Sequence, residues 1–308
     1  MTPSRREFLV TSSVAIAAGT FGRLPAFAQQ PAAPVATSFV DVRRNVGIFN
    51  GRGGTIGWLV NTNGALTIDS QFPDTAKTCL EGLKQKVRGQ IDALVNTHHH
   101  GDHTGGNAVF KPAVKMIVAH QNVPDLQKKQ AAAQNPPLEQ AYPDTTFATT
   151  WKLDLGDETI SAKHYGPGHT GGDIVVTFEK ANVVHMGDLM FHTRHPRVDR
   201  PAGASIRNWI DLLGKVPGEH TDDTIYIAGH SKEGLPVQVK KADLLAFRDY
   251  FTAVLDHVQK GISAGKSKDE ITKLAALPKF ESYAENPPVL TLSGVLTVAY
   301  EELTSKTS

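Results

Sequence analysis

The spacing of hydrophobic and polar positions changes several times along the chain and predicts a mixture of strands and helices. Residues 55–70, TIGWLVNTNGALTIDS, place two apolar runs around Asn63-Gly64, which is a strong β-hairpin signal. A second hairpin is predicted over 148–166, turning at Gly156-Asp157, whereas 74–88 have helical spacing. Further strands are predicted at 91–97, 114–119, 173–180, 182–188 and 224–229.

The order of these segments predicts the fold class. Helices are expected at 205–214, 236–261, 267–275 and 289–304. Mixed strands come first and helices follow each set, without a visible internal repeat. This order predicts an α+β protein in which a sandwich of sheets is covered by helices, and it argues against a parallel barrel.

The first residues have the pattern of an export signal. SRREFLV at 4–10 precedes the apolar run VAIAAGTF, and a small-residue cleavage sequence ends at Ala28. The adjacent arginines Arg5 and Arg6 resemble the twin-arginine pattern. We therefore predict a signal peptide over 1–28 and a periplasmic or secreted bacterial protein. The alternative is an uncleaved N-terminal anchor, although the apolar run is shorter than a stable membrane span requires.

After the predicted signal, the composition is that of an ordinary globular protein. Residues 29–38 are expected to form a linker and 39–308 a single domain that includes the C-terminal helices. The chain has 40% hydrophobic and 20% charged residues and a formal net charge of +1, so we expect no nucleic-acid partner. Cys79 is the single cysteine, which excludes an intrachain disulfide, and its helical context predicts a buried position.

Metal-ligating residue types cluster in the stretch HHHGDH at 98–103. Three more candidates lie where predicted strands end: His169 in GPGHTGGD, Asp188 in HMGDLMF and His230 in IAGHSKEG. Imidazole nitrogens and carboxylate oxygens suit Zn²⁺ and other borderline divalent metals, and strand ends hold ligands rigidly. The alternative is a polar surface loop with unrelated histidines.

These residues resemble the signature of the metallo-β-lactamase superfamily, His-x-His-x-Asp-His followed by a His, an Asp and a His on separate loops. The resemblance covers about residues 45–235. It implies an αββα sandwich with a metal site at the edge of two sheets. It also implies a first metal bound by His98, His100 and His169, a second bound by Asp102, His103 and His230, and a bridging Asp188.

The resemblance further implies a hydrolase with two Zn²⁺ ions, iron or manganese being possible substitutes. A hydroxide held between the metals would attack an ester, thioester, lactone or lactam, with Asp102 and His230 as catalytic residues. Asp188 replaces the cysteine or serine of many true β-lactamases and resembles glyoxalase II-like enzymes. The alternatives are a periplasmic β-lactamase, a mononuclear or binding-only relative, and an iron-binding redox protein. The expected partner is a small-molecule substrate, with no stable membrane anchor after cleavage.

Other polar residues receive weaker predictions. Asp69 is expected to orient a metal ligand, and His99 is expected to point away from the metals. Lys232 is a candidate for binding a substrate carboxylate, or is simply solvated. The remaining histidines are predicted as a core or supporting residue (His185), candidate pocket residues (His192, His195) and ordinary surface residues (His120, His220, His257).

Overall fold

The computed structural model describes residues 35–87, 89–134 and 140–305. The signal peptide predicted at 1–28 and most of the predicted linker lie outside the described residues, so these assignments and the export that they imply stay predictions. Residues 35–37 are exposed and irregular, and the first strand begins at Ser38, the last position of the predicted linker. No helix in the described ranges is both long and apolar enough to cross a bilayer.

The first sheet contains seven strands in sequence order. They are β1 (Ser38–Arg43), β2 (Val46–Asn50), β3 (Ile56–Val60), β4 (Ala65–Ile68), β5 (Ala93–Val95), β6 (Ile117–His120) and β7 (Thr145–Phe147). The strands β1 to β4 are antiparallel neighbours, and β4 to β7 are parallel neighbours. The carboxyl ends of the parallel strands β4 to β7 therefore lie at one edge of the sheet.

The second sheet contains six strands in the order β13-β12-β11-β10-β9-β8. They are β8 (Thr150–Leu155), β9 (Glu158–Lys163), β10 (Val175–Phe178), β11 (Val183–His192), β12 (Ile225–Ser231) and β13 (Gln238–Val239). Only the pair β11 and β12 is parallel within this described sheet, and the other pairs are antiparallel. The carboxyl ends of β11 and β12 therefore lie at the same edge of the second sheet.

Helices cover the outer faces of the sheets. They are α1 (Pro73–Lys84), α2 (Gly101–Thr104), α3 (Asn107–Phe110), α4 (Val123–Ala132), α5 (Ile206–Gly218), α6 (Lys241–Ser263), α7 (Lys268–Thr272) and α8 (Leu292–Thr304). Helix α1 packs Cys79 and Leu83 against the first sheet, so the predicted burial of Cys79 is confirmed. Helices α5, α6 and α8 pack on the second sheet.

Apolar side chains from both sheets form the central layer of the core. Leu66 and Val95 of the first sheet belong to the same buried cluster as Val176 and Ile227 of the second. Each such side chain contributes roughly 1.5–3 kcal/mol when it is fully buried. Two sheets with helices on both outer faces form the predicted αββα sandwich, and this fold class is confirmed.

Most predicted elements are present, with shifted ends. Both hairpins form with their predicted turns. The helix expected at 236–261 begins only at Lys241, because Gln238 and Val239 pair as β13 with β12. Strand β11 continues past its expected end at Asp188 to His192. Strands β1, β2 and β7 and helices α2, α3 and α4 have no counterpart among the predicted elements.

Candidate metal centre

All seven predicted metal ligands come together at the edge of the two sheets. The HHHGDH segment follows β5 and leads into α2. His169 lies on the loop between β9 and β10, whereas Asp188 and His230 lie on the parallel strands β11 and β12. Ligand-type atoms form one group of His98, His100, His169 and Asp188, and a second of Asp102, His103 and His230. The assignment of these residues to particular metals stays a prediction.

The first group is built from three buried imidazoles. His100 Nδ1 lies 3.1 Å from His98 Nε2 and 2.8 Å from His169 Nε2. Asp188 Oδ2 completes the group, 3.9 Å from His98 Nε2 and 3.4 Å from His169 Nε2. Three ring nitrogens and one carboxylate oxygen therefore converge on one point.

The second group shares Asp188 with the first. Asp188 Oδ1 lies 3.0 Å from His103 Nε2 and 3.4 Å from His230 Nε2. His230 Nε2 is also 3.1 Å from Asp102 Oδ2 and 3.4 Å from His103 Nε2. One carboxylate thus turns one oxygen towards each group, which is the arrangement expected of a ligand that bridges two cations.

The donor atoms of both groups fit divalent metal ions. Within the described residues, the buried atom Asp188 Oδ1 forms no hydrogen bond of suitable geometry, although His103 Nε2 is 3.0 Å away. Burial lowers the pKa of His100 to about 4 and favours the neutral imidazole that a metal requires. Burial also acts to lower the pKa of His230, but the carboxylates of Asp188 and Asp102 outweigh it and raise the pKa to about 9. This local excess of negative charge favours a bound cation.

Asp69 supports two neighbouring ligands, as the sequence predicts. Its Oδ2 accepts hydrogen bonds from His103 Nδ1 at 2.7 Å and from Thr97 Oγ1 at 2.7 Å. Its Oδ1 accepts the Thr97 backbone N–H at 2.7 Å. The Thr97 hydroxyl in turn lies 3.1 Å from His98 Nδ1. Both rings are therefore held with Nε2 facing the centre.

Asp199 and Arg197 provide a second support that the sequence analysis missed. Asp199 Oδ2 accepts a hydrogen bond from His100 Nε2 at 2.7 Å and pairs with the Arg197 guanidinium at 2.9 Å. Burial acts to raise the pKa of Asp199, but His100 and Arg197 outweigh it and lower the pKa to about 2. The Arg197 carbonyl accepts His169 Nδ1–H at 2.7 Å. Ninety-nine residues separate Asp199 from His100, so no local spacing identifies the pair.

Two glycines let the parallel strands approach the ligands. Gly187 precedes Asp188 with φ of +50°, and a Cβ there would lie 2.7 Å from the Thr97 side chain. Gly229 precedes His230, and a Cβ there would overlap Asp188 Oδ1. The pairing of β11 with β12 is irregular on both sides of Gly187. Asp188 therefore lies at an irregularity within β11 instead of at the predicted strand end.

Comparison with known proteins agrees with this site. The family model described as the metallo-beta-lactamase superfamily matches residues 50–230. The chain belongs to this superfamily. A probable metallo-hydrolase of Methanocaldococcus jannaschii is 27% identical over 187 residues, which cover 55% of this chain and 84% of the relative. A hydroxyacylglutathione hydrolase of a Shewanella species is 26% identical over 163 residues, which cover 53% of this chain and 58% of the relative.

Solved structures show the same fold. An inverting sec-alkylsulfatase from a Pseudomonas species superposes with a TM-score of 0.68 at 15% identity. The match covers 87% of this chain and 50% of the sulfatase chain. At this level of identity, the similarity demonstrates the shared metallo-beta-lactamase fold and nothing about the substrate.

The described histidines of this superfamily member other than the five predicted ligands fall outside the two ligand groups. His99 is buried, and its Nε2 is 3.9 Å from Asp199 Oδ2. Ligand-type atoms of His99, His100 and Asp199 lie close enough together to hold a metal ion. However, the Asp199 carboxylate already accepts a hydrogen bond from His100 and pairs with Arg197. His185 is a core residue, as predicted, with Nε2 3.1 Å from the Thr55 carbonyl oxygen.

Three candidate pocket residues lie outside the lining of the pocket beside the ligands, and one histidine predicted at the surface is buried. His192 contacts the Pro236 carbonyl, and His195 is buried against the Tyr250 hydroxyl at 2.8 Å, so neither lines the pocket beside the ligands. Lys232 donates to the Ser282 carbonyl at 3.0 Å and is also absent from that pocket lining. The prediction that His120 lies on the surface is wrong, because this residue ends a buried strand and stacks on His164.

An open cleft of about 670 Å³ gives access to the ligands, and we call it the metal cleft. His100, Asp102, His169, Asp188 and His230 line its floor. Its walls carry apolar, cationic and amide side chains, namely Phe72, Phe191, Val289, Leu290, Arg194, Arg197, Gln130, Gln134, Gln140 and Asn286. The volume falls in the range of small-molecule sites. The superfamily scaffold therefore presents its ligand groups to a substrate-sized space.

Proposed function

We propose that this protein is a metal-dependent hydrolase that uses two metal ions, zinc in the first instance, to cleave a small carbonyl substrate. The observation that carries the proposal is the position of Asp188 between two groups of ligand-type atoms, with one oxygen directed to each. Membership of a superfamily with hydrolytic relatives supports the same reaction class.

The protein side chains have separate tasks in this proposal. His98, His100 and His169 would hold one ion, Asp102, His103 and His230 would hold the other, and Asp188 would contact both. When bound, the two ions would supply a nucleophile derived from water near neutral pH and polarise the substrate oxygen. Asp69 and Asp199 keep three of the rings in the tautomer that binding requires. Asp102 and His230 line the cleft floor, where they would contact the reacting group.

The substrate classes that we propose are esters, thioesters, lactones and lactams. The aspartate at position 188 favours the thioesterase and lactonase type, and the hydroxyacylglutathione hydrolase relative supports it. β-Lactam cleavage is the second candidate, because the superfamily takes its name from it. An iron-loaded redox protein without hydrolytic activity is the alternative from another functional class.

Replacing Asp188 with alanine tests the two-metal hydrolase directly. We expect the purified variant to lose most of one metal equivalent and at least about a hundredfold in turnover, because both ligand groups lose an oxygen. Asp222→Ala is the matched control, since the Asp222 side chain is 92% exposed and far from the cleft floor. Metal content is measured by mass spectrometry, and turnover with esters, thioesters, lactones, β-lactams and a secondary alkyl sulfate.

Each outcome of this panel decides between the candidates. Unchanged metal content and turnover in Asp188→Ala contradict the two-metal assignment. Turnover confined to the alkyl sulfate contradicts the carbonyl substrate class. Zinc-loaded protein that hydrolyses none of the compounds, combined with a reversible redox signal in the iron-loaded form, favours the redox alternative.

A further inference from the structure

Arg194 lies where two clefts meet beside the candidate metal centre. The metal cleft shares Gly53, Arg194 and His230 with a neighbouring cleft of about 780 Å³. Arg194 is half-buried and lines the metal cleft together with Asp102 and Asp188. Arg194 therefore borders the same space that a substrate at the ligand groups would occupy.

The backbone of this arginine is held in place, whereas its side chain is left available. His195 N–H donates to the Ala284 carbonyl at 3.0 Å, and Ala284 N–H donates to the Thr193 carbonyl at 3.0 Å. Arg194 and Ala284 form a parallel β-bridge. Within the described ranges, the Arg194 guanidinium forms neither a hydrogen bond nor an ion pair, in contrast to Arg197, which pairs with Asp199.

The charge of the loaded site favours a negative ligand at this guanidinium. Asp102 and Asp188 are the acidic residues among the side chains that line the metal cleft. Two divalent cations would more than neutralise these carboxylates, and Arg194 would then add to a net positive cleft. A guanidinium that is partly removed from water binds a carboxylate or sulfonate with two parallel hydrogen bonds.

Part of the lining of the metal cleft is apolar. Phe191 stacks on His230 with ring centroids 5.4 Å apart, and Leu290 and Val289 line the same cleft; we call these three residues the apolar wall. Val289 is 52% exposed, which is the highest value among the large exposed hydrophobic side chains in the described chain. An apolar side chain on a cleft rim loses exposed surface when a hydrocarbon group binds there.

We infer that the substrate of this enzyme is an amphipathic anion whose carboxylate or sulfonate-type group binds Arg194 and whose hydrocarbon part lies on the wall formed by Phe191, Val289 and Leu290. This inference rests on the proposed hydrolase function for its turnover, but not for its binding. Arg194 is thus a specificity-determining residue, and it takes the place that the sequence analysis considered for Lys232.

Binding of hexanesulfonate to zinc-loaded protein tests the inference without turnover. Sulfonates are weak metal ligands, so their affinity reports on the arginine more than on the ions. We expect calorimetry to show binding that is about tenfold weaker in Arg194→Gln, because glutamine removes the charged hydrogen-bond donor. Binding should weaken less in Arg194→Lys, because lysine keeps the positive charge on a shorter side chain. Lys232→Gln removes an equal charge at the end of the neighbouring strand β12, outside the lining of the metal cleft, and should bind like the wild type. Equal affinities in wild type and Arg194→Gln overturn the inference.

A pair of esters separates this inference from the proposed function. We compare para-nitrophenyl butanoate with the mono-para-nitrophenyl ester of glutaric acid, which adds a carboxylate to a similar chain. The wild type should prefer the charged ester in kcat/KM, and Arg194→Gln should lose that preference mainly through KM. Equal cleavage of both esters by both proteins contradicts the role of Arg194 and leaves the hydrolase standing. Sulfonate binding that depends on Arg194, without cleavage of these esters or of the thioesters, lactones and β-lactams of the panel, contradicts the hydrolase and supports the anion site.

Discussion

The tautomer of each imidazole decides which nitrogen is available to a metal. His100 differs from the other rings of its group, because its Nδ1 faces the shared centre while Nε2 faces Asp199. An imidazole whose Nε2–H donates to a carboxylate presents an unprotonated Nδ1. Asp199 therefore selects the ligating form of His100, as Asp69 does for His103.

Removing the Asp199 carboxylate should weaken the first metal group. For Asp199→Ala we expect metal affinity to fall roughly 10–100-fold, and for Asp199→Asn by less, since the amide oxygen still accepts a hydrogen bond. Competition with a zinc chelator measures the change. Asp125→Ala is the control, because the Asp125 side chain is 80% exposed and pairs only with Lys128 among the described residues. Equal chelator sensitivity in all four proteins would show that Asp199 does not position His100.

At the scale of elements, local patterns predicted the ligands better than their supports. The HHHGDH spacing and the glycine-flanked residues after apolar runs are visible within a few positions, and the structure brings all seven together. Asp199 and Arg194 lie outside any hydrophobic periodicity. Asp199 meets His100 and Arg194 pairs with Ala284 only in the folded chain, so neither contact is visible in the local sequence. Strands β1 and β2 were missed because VDVRRNVGIFN interrupts its apolar alternation with a turn at Arg44 and Asn45, both at positive φ.

The close contact between β11 and β12 makes Gly229 a sensitive position. A Cβ at Gly229 would overlap Asp188 Oδ1 and lie 2.8 Å from the Gly187 carbonyl oxygen. We expect Gly229→Ala to lower the free energy of unfolding by about 1–3 kcal/mol and to reduce metal content, because the strands must separate. Urea unfolding and metal analysis measure both effects. Gly218→Ala, at the last residue of α5 where a Cβ would meet nothing within 4 Å, should lower neither quantity, and equal losses in the two variants would contradict the packing argument.

At the scale of the whole molecule, the C-terminal helix is connected to the metal loop through α5. Glu302 of α8 accepts hydrogen bonds from the backbone N–H groups of Ile206 and Arg207 at 2.8 and 3.1 Å. Ser205, which caps α5, donates its N–H to the Gly168 carbonyl at 3.1 Å, next to His169. Helix α8 is thus connected through α5 to the loop that carries the candidate ligand His169, and it also covers the second sheet.

Replacing Glu302 tests this long-range connection. The carboxylate is largely buried and negative at a helix N-terminus, so its loss leaves buried N–H groups without their acceptor. We expect Glu302→Ala to lower the free energy of unfolding by about 1–3 kcal/mol in urea titrations and to increase zinc loss at low urea. Glu301→Ala removes a half-exposed neighbour that pairs with Lys268, and it should cost less than about 0.5 kcal/mol. If Glu302→Ala unfolds earlier but releases zinc only together with global unfolding, α8 stabilises the sandwich without positioning the His169 loop.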